Sequence, residues 1–259
     1  MLRLGAQIDF VEIIVDEWGG NVPSAPCMDT LGDMPFVLHA AICSLGSQFP
    51  SEASLRLLRA LCHQLKPSWV SEHISFSKAG EFDINNFMPV EYSVESARSL
   101  AARAHALSQE LSGRPIALEN TCYFFGHPGN QMTEQAYLGE LAARDVPIVL
   151  DVNNLYVNSV NFGYDPMQFI KYVARTCRVA YVHVAGHRTS EGWLLDSHDV
   201  AVSEEVWGLA EEALKSTSAE GIVIERDHNS ATIDELLDEI DRARNVWIKG
   251  KSHREPSLA

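Results

Sequence analysis

The sequence predicts an α/β chain whose parallel strands close into a (β/α)8-like barrel, and three observations predict it. Short apolar runs rich in β-branched residues alternate with longer segments whose leucines and alanines recur at helical spacing. No Gly-x-Gly-x-x-Gly turn follows the first run, so the fingerprint of a dinucleotide-binding doubly wound sheet is missing. Six successive runs end on His39, His73, Glu119, Asp151, His183 and Glu225, which spreads polar groups over nearly all the strands instead of one switch point.

Taken in order, Phe10 to Val15 (FVEIIV) is the first strand, followed by a connection with Gly and Pro from Gly19 to Pro35. Phe36 to His39 is the second strand, and Ser51 to Lys66 the first helix, opened by a serine and stopped by Pro67. Trp69 to His73 is a strand, trailed by a loop with Asn85 and Asn86 and a helix from Ser93 to Leu111. Pro115 to Glu119 is the next strand, with a helix over Thr133 to Arg144. Pro147 to Asp151 follows, and its helix starts at Asp165-Pro166, where aspartate caps and proline suits the first turn. Val179 to His183 (VAYVH) is a buried strand, and a helix spans Ser203 to Lys215. Gly221 to Glu225 is the last strand, and Thr232-x-x-Glu235 is a capping box opening the last helix. Residues 1–247 read as one metal-binding barrel domain and 248–259 as a polar C-terminal tail. That makes seven strands where a TIM-type barrel has eight, so the first is missing, truncated or upstream of Met1.

Composition narrows the function. The 259 residues carry 35 acidic and 20 basic side chains, a formal charge of −15, which repels phosphate backbones and argues against a nucleic-acid partner. No apolar run approaches the ~20 residues of a membrane helix and Met1-Leu2-Arg3 opens no signal peptide, so a cytoplasmic protein with no membrane partner is expected. The cysteines Cys27, Cys43, Cys62, Cys122 and Cys177 are odd in number and form no C-x-x-C pair, which argues against disulfides and zinc-thiolate sites.

In a barrel the carboxyl ends of parallel strands surround one mouth, so the six strand-end residues can converge. Asn154, Asp196 and His198 come from loops expected over the same mouth, giving four histidines, four carboxylates and one carboxamide. Carboxylates held close repel one another unless protonated or neutralised by cations, and two or three divalent ions would remove that cost. Nitrogen and oxygen donors without thiolate point to iron, manganese or zinc, with positions left open for substrate. Each of these residues taken alone also fits a hydrogen-bonded buried polar group; the repetition at strand ends favours the metal reading. His187, in the loop after Gly186, fits a ligand, and equally well a group behind the ligands or one that meets substrate. His63, His105 and His253 read as solvent-facing or packing residues, and Cys43 and Cys122 as small buried ones.

The pieces Leu38-His39, Ser71-Glu72-His73, Leu118-Glu119-Asn120, Asp151-Val152-Asn153-Asn154-Leu155-Tyr156-Val157-Asn158, His183-Val184-Ala185-Gly186-His187, Asp196-Ser197-His198-Asp199 and Glu225-Arg226-Asp227 resemble the multinuclear non-heme iron-dependent oxidative enzymes, from about Phe10 to Arg242. The resemblance implies a TIM-type barrel with two or three irons in mixed Fe(II)/Fe(III) valence, acting with molecular oxygen on a cysteine of a ribosomally made peptide. It also implies a separate peptide-recognition protein as a heterodimer partner. Carried over residue by residue, the implied ligands are His39, His73, Glu119, Asp151, Asn154, His183, Asp196, His198 and Glu225. Within the family, the Asn-Leu-Tyr-Val-Asn run after Asp151 leans towards the 3-thiaglutamate type, which excises the β-carbon of a C-terminal cysteine, over oxazolone and thioamide formation.

Other classes remain to be weighed. A divalent-metal sugar isomerase lacks a strand-end lysine here, an endonuclease-IV-like hydrolase conflicts with the charge, and a metal-buffering scaffold is the non-catalytic reading. Oxygen uptake that depends on iron and a cysteine peptide separates them.

Overall fold

In a computed structural model the residues described are 8–15, 34–41, 43–79, 82–227 and 231–252. Cys27, His253 and most of the Gly19 to Pro35 connection lie outside them. The chain forms two compact units, Met1–Pro147 and Ile148–Ala259. Among the described residues no helix is long and apolar enough to cross a membrane.

In the first unit, β1 (Val11–Ile14), β2 (Phe36–Ala40), β3 (Val70–His73) and β6 (Ile116–Glu119) lie side by side in that order, all parallel. Strands buried along their length read as continuous apolar runs, which is how the sequence presents them. Leu38, Val70, Ala117 and Leu118 are fully buried, and each large apolar side chain so placed contributes roughly 1.5–3 kcal/mol. The connecting helices α1 (Glu52–Leu65), α2 (Val94–Glu110) and α3 (Glu134–Ala142) start at caps the sequence marks: Ser51, Ser93 and Thr133 each accept a backbone N–H from the first turn. The register sets His73 directly opposite Glu119.

The loop expected after His73 is instead a ribbon, β4 (Ser75–Ala79) paired antiparallel with β5 (Phe82–Pro89), and it includes Asn85 and Asn86. Its strands mix charged, amide and aromatic residues, so no apolar alternation announces them.

In the second unit, β7 (Ile148–Asp151), β8 (Val179–Ala185) and β11 (Ile222–Glu225) are parallel, with β8 between the other two. Asp151 stands opposite His183 in that register. The seven parallel strands of the two units are the seven read from sequence, β1 included; no eighth lies among the described residues.

The sequence reading expects a loop after Asp151, but α4 (Val152–Phe162) begins at once, capped by Asp151 and closed by Gly163 at φ 72°. Its valines and asparagines are weak helix formers, and burial of one face outweighs that preference. The helix α5 (Pro166–Thr176) then starts at Asp165-Pro166 as predicted.

A second unpredicted ribbon follows β8, formed by β9 (His187–Ser190) and β10 (Trp193–Asp196). Its turn is Glu191-Gly192, with φ of 50° and 87° at the two residues, as the type I′ turn of a two-residue hairpin requires. The helices α6 (Glu204–Ser216) and α7 (Ile233–Ser252) complete the unit, and the Thr232/Glu235 capping box forms, with Thr232 N–H donating to Glu235 Oε2 at 2.7 Å. The last helix runs through Ser252, so residues 248–252 are helical.

Candidate metal centre

In the first unit β2, β3 and β6 bring His39, His73 and Glu119 together, all buried. Both imidazoles approach one carboxylate oxygen: Glu119 Oε2 lies 3.5 Å from His39 Nε2 and 3.7 Å from His73 Nε2. Donors bound about 2.1 Å from a common ion stand roughly 3–3.5 Å apart, so the spacing suits ligands of one ion. The His39 ring is held from behind, its Nδ1 lying 2.7 Å from Ser71 Oγ, so that Nε2 faces the carboxylate. From the ribbon, Phe87 stacks on the His73 ring with centroids 4.3 Å apart. Glu72, one residue earlier on β3, faces away from His73, as strand alternation demands, and its Oε1 accepts the Ser44 N–H at 3.2 Å.

The second unit carries its own cluster. Asp151 and Glu225, at the ends of β7 and β11, and His183, two residues short of the end of β8 where the sequence reading ends that strand, each place a ligand atom within 4.8 Å of the others. His183 Nδ1 is 3.4 Å from Glu225 Oε2. His198 joins from the loop after β10, its Nδ1 3.9 Å from Glu225 Oε2 and its Nε2 2.7 Å from Asp196 Oδ1.

Burial draws the His198 pKa down, yet Asp196, Glu225 and Asp151 outweigh it and lift the imidazole to about 10. A cation taking the place of the proton would reverse that balance. His198 sits at φ 51°, a left-handed conformation rare outside glycine, and its N–H donates to Gly186 O at 3.0 Å. Gly186 has to be glycine, because a Cβ there would stand 2.0 Å from Val200 O.

Asn154 is buried one turn into α4 and reaches Asp151 through its backbone: Asp151 Oδ1 accepts the Asn154 N–H at 2.6 Å. Asp196 ends a strand, where the sequence reading has it in a loop. His63 is exposed on α1, and His105 Nε2 lies 2.7 Å from Arg144 O between helices, so neither belongs to a cluster. Cys43 is buried and Cys122 half-buried.

Sequence reasoning passed over Asn153, which is fully buried and hydrogen-bonded to both Asp196 and His187. The available signal was the Asn153-Asn154 pair two residues after the strand-end Asp151.

Solved structures define the class first. The chain is similar in fold to a D-psicose 3-epimerase from Clostridium cellulolyticum H10 (TM-score 0.58, 9% identity, covering 98% of this chain and 92% of that one). It is also similar to a xylose isomerase-like TIM barrel protein from Mycobacterium smegmatis in complex with magnesium (TM-score 0.57, 12% identity, covering 97% and 88%). The fold is therefore the TIM-type β/α barrel. Residues 1–247 match the family model described as RiPP precursor modification enzyme MbnB/TglH/ChrH, and the chain belongs to that family of enzymes acting on ribosomally made peptides. A UPF0276 protein of Caulobacter vibrioides is 34% identical over 248 residues, covering 94% of this chain and 88% of the relative.

Proposed function

We propose that this chain is an iron- and oxygen-dependent oxidoreductase that modifies a cysteine of a ribosomally made peptide, working with a partner protein that recognises the peptide. The donor set carries the reading: buried imidazoles and carboxylates at ligand spacing, without thiolate, in a chain of this enzyme family. The residues that would hold two or three irons are His39, His73, Glu119, Asp151, Asn154, His183, Asp196, His198 and Glu225. Bound iron would supply one-electron redox chemistry with molecular oxygen.

The chain's own groups prepare that chemistry. Ser71 fixes the His39 ring and Asp151 is held by the turn it caps, so these donors are oriented before any ion arrives. His198 gives up the proton its carboxylate neighbours attract, so loading releases protons and weakens as pH falls. With no protein thiolate in the shell, the soft-donor position is left to the substrate cysteine. Excision of the β-carbon of a C-terminal cysteine is the favoured outcome, and oxazolone or thioamide formation the alternative.

The test uses the chain co-expressed with the product of a neighbouring gene and purified without air. Iron content, oxygen uptake and product mass are measured with a cysteine peptide and its serine counterpart. Uptake and a mass change with the cysteine peptide alone are expected. Full iron loading without cysteine-dependent oxygen uptake would overturn the proposal.

A further inference from the structure

Asn153 lies on the first turn of α4 with no exposed surface. Its Nδ2 is 2.6 Å from Asp196 Oδ1 and its Oδ1 is 2.8 Å from His187 Nδ1. A carboxylate only accepts, so the amide nitrogen must face Asp196. The amide oxygen then faces His187, and an oxygen without a proton cannot donate. The proton in that contact therefore belongs to His187 Nδ1, which in the neutral ring leaves Nε2 as a lone pair. Nε2 has no hydrogen-bond partner among the described residues, and the ring is partly exposed beside Tyr156, with centroids 5.0 Å apart.

We infer that Asn153 is a positioning residue that fixes His187 in its Nδ1–H tautomer, presenting Nε2 as a hydrogen-bond acceptor, while its amide N–H anchors Asp196. The geometry makes the amide a one-way coupler: the orientation of Asp196 dictates the orientation of the amide, and the amide dictates the histidine tautomer. Resting on the proposed function, the ligand for this acceptor is an N–H or S–H of the peptide substrate. The rigidity comes from the fold: Asn153 rides on a capped helix turn, and His187 and Asp196 are directly opposed across β9 and β10.

The tautomer can be read without metal, peptide or partner. In metal-free full-length chain labelled with nitrogen-15 in histidine, long-range proton–nitrogen spectra distinguish the two ring nitrogens, and His187→Gln identifies the signal. The wild type is expected to show a protonated Nδ1 at His187. Asn153→Leu removes the acceptor and should lower the Nδ1–H to Nε2–H ratio about tenfold, the worth of roughly one net hydrogen bond. Asn153→Asp keeps an acceptor for His187 and should retain the Nδ1–H form while losing the donor to Asp196. If Asn153→Leu does not fold, Asn153→Ala serves the same arm.

An Nε2–H wild type, or a ratio unchanged on removing the acceptor, would overturn the inference whatever the enzyme oxidises. A retained tautomer assignment in a protein inactive towards cysteine peptides would instead sink only the proposed function.

Discussion

Asp151 Oδ1 accepts the backbone N–H of Asn154 at 2.6 Å, so one carboxylate both starts a helix and stands in the histidine–carboxylate cluster with His183 and Glu225. The two roles separate by substitution. With chelator present, Asp151→Ala should lose about 1 kcal/mol of stability through the missing cap. Asp151→Asn keeps the cap and relieves repulsion with Glu225, so its metal-free stability should match or exceed that of the wild type. Both should bind less metal. Denaturant titrations in chelator, paired with metal analysis, check this; equal losses of stability in the two variants would refute the double role.

Glu134, at the start of α3, is buried, and burial pushes its carboxyl up to about 8 against a weaker opposing pull from the Tyr123 hydroxyl, which donates to it at 3.1 Å. In the pH window from about 4.5 to about 8 the folded chain keeps this proton and the unfolded chain releases it. Stability contributed by this group therefore falls as pH rises through that window. Glu134→Gln carries no proton to lose, so its stability relative to wild type should increase between pH 5 and pH 8, by roughly 2 kcal/mol or more. Parallel urea titrations at the two pH values test it, and a constant difference would show that Glu134 titrates normally.

Asn161 grips the second ribbon by both ends of its amide: Nδ2 donates to Leu194 O and Oδ1 accepts the Leu194 N–H, each at 2.9 Å. Asn161→Ala should cost about 1–2 kcal/mol and raise hydrogen exchange at the Leu194 amide. Unchanged protection there would mean that other contacts, such as Phe162 edge-on to Trp193 at 6.1 Å, hold the ribbon alone.

Gly186→Ala drives a methyl into Val200 O, 2.0 Å away. Backbone must move, at a cost of about 1–3 kcal/mol, and the Gly186 O to His198 N–H bond moves with it. Metal retention should fall together with stability. A folded variant with full metal content would show that His198 does not need this anchor.

The seven parallel strands were legible because buried parallel strands are short apolar runs bounded by turn residues, and His73, Glu119, Asp151 and Glu225 end four of them as read. The helix starts at Ser51, Ser93, Thr133, Asp165 and Ser203 were legible, and each of those residues caps its helix, because capping is local chemistry. Helix α4 was not, since Val-Asn-Asn-Leu-Tyr-Val-Asn has weak propensity and its burial is a tertiary matter. Nor were the ribbons: His187-Arg-Thr-Ser is polar and exposed after its first residue, and Glu-Gly is a less telling turn pair than Asn-Gly. The Asn153-Asn154 pair marked the place, but the role of Asn153 was not legible, because its partners lie 34 and 43 residues away and only the folded chain brings them to it.

The Glu191-Gly192 turn sets which residues of β9 and β10 face each other, and the count that follows from it ends with His187 across from Asp196. The ladder hydrogen bonds are made by backbone, so a single residue inserted into this exposed turn would leave every functional group present and spelled correctly. Where it shifts the register by one residue, it would turn one member of that pair to the opposite face. The site proposed for this stretch is thus written partly as a length. A relative with all the same histidines and carboxylates but a turn longer by one residue should be read as a different enzyme until its ribbon is seen.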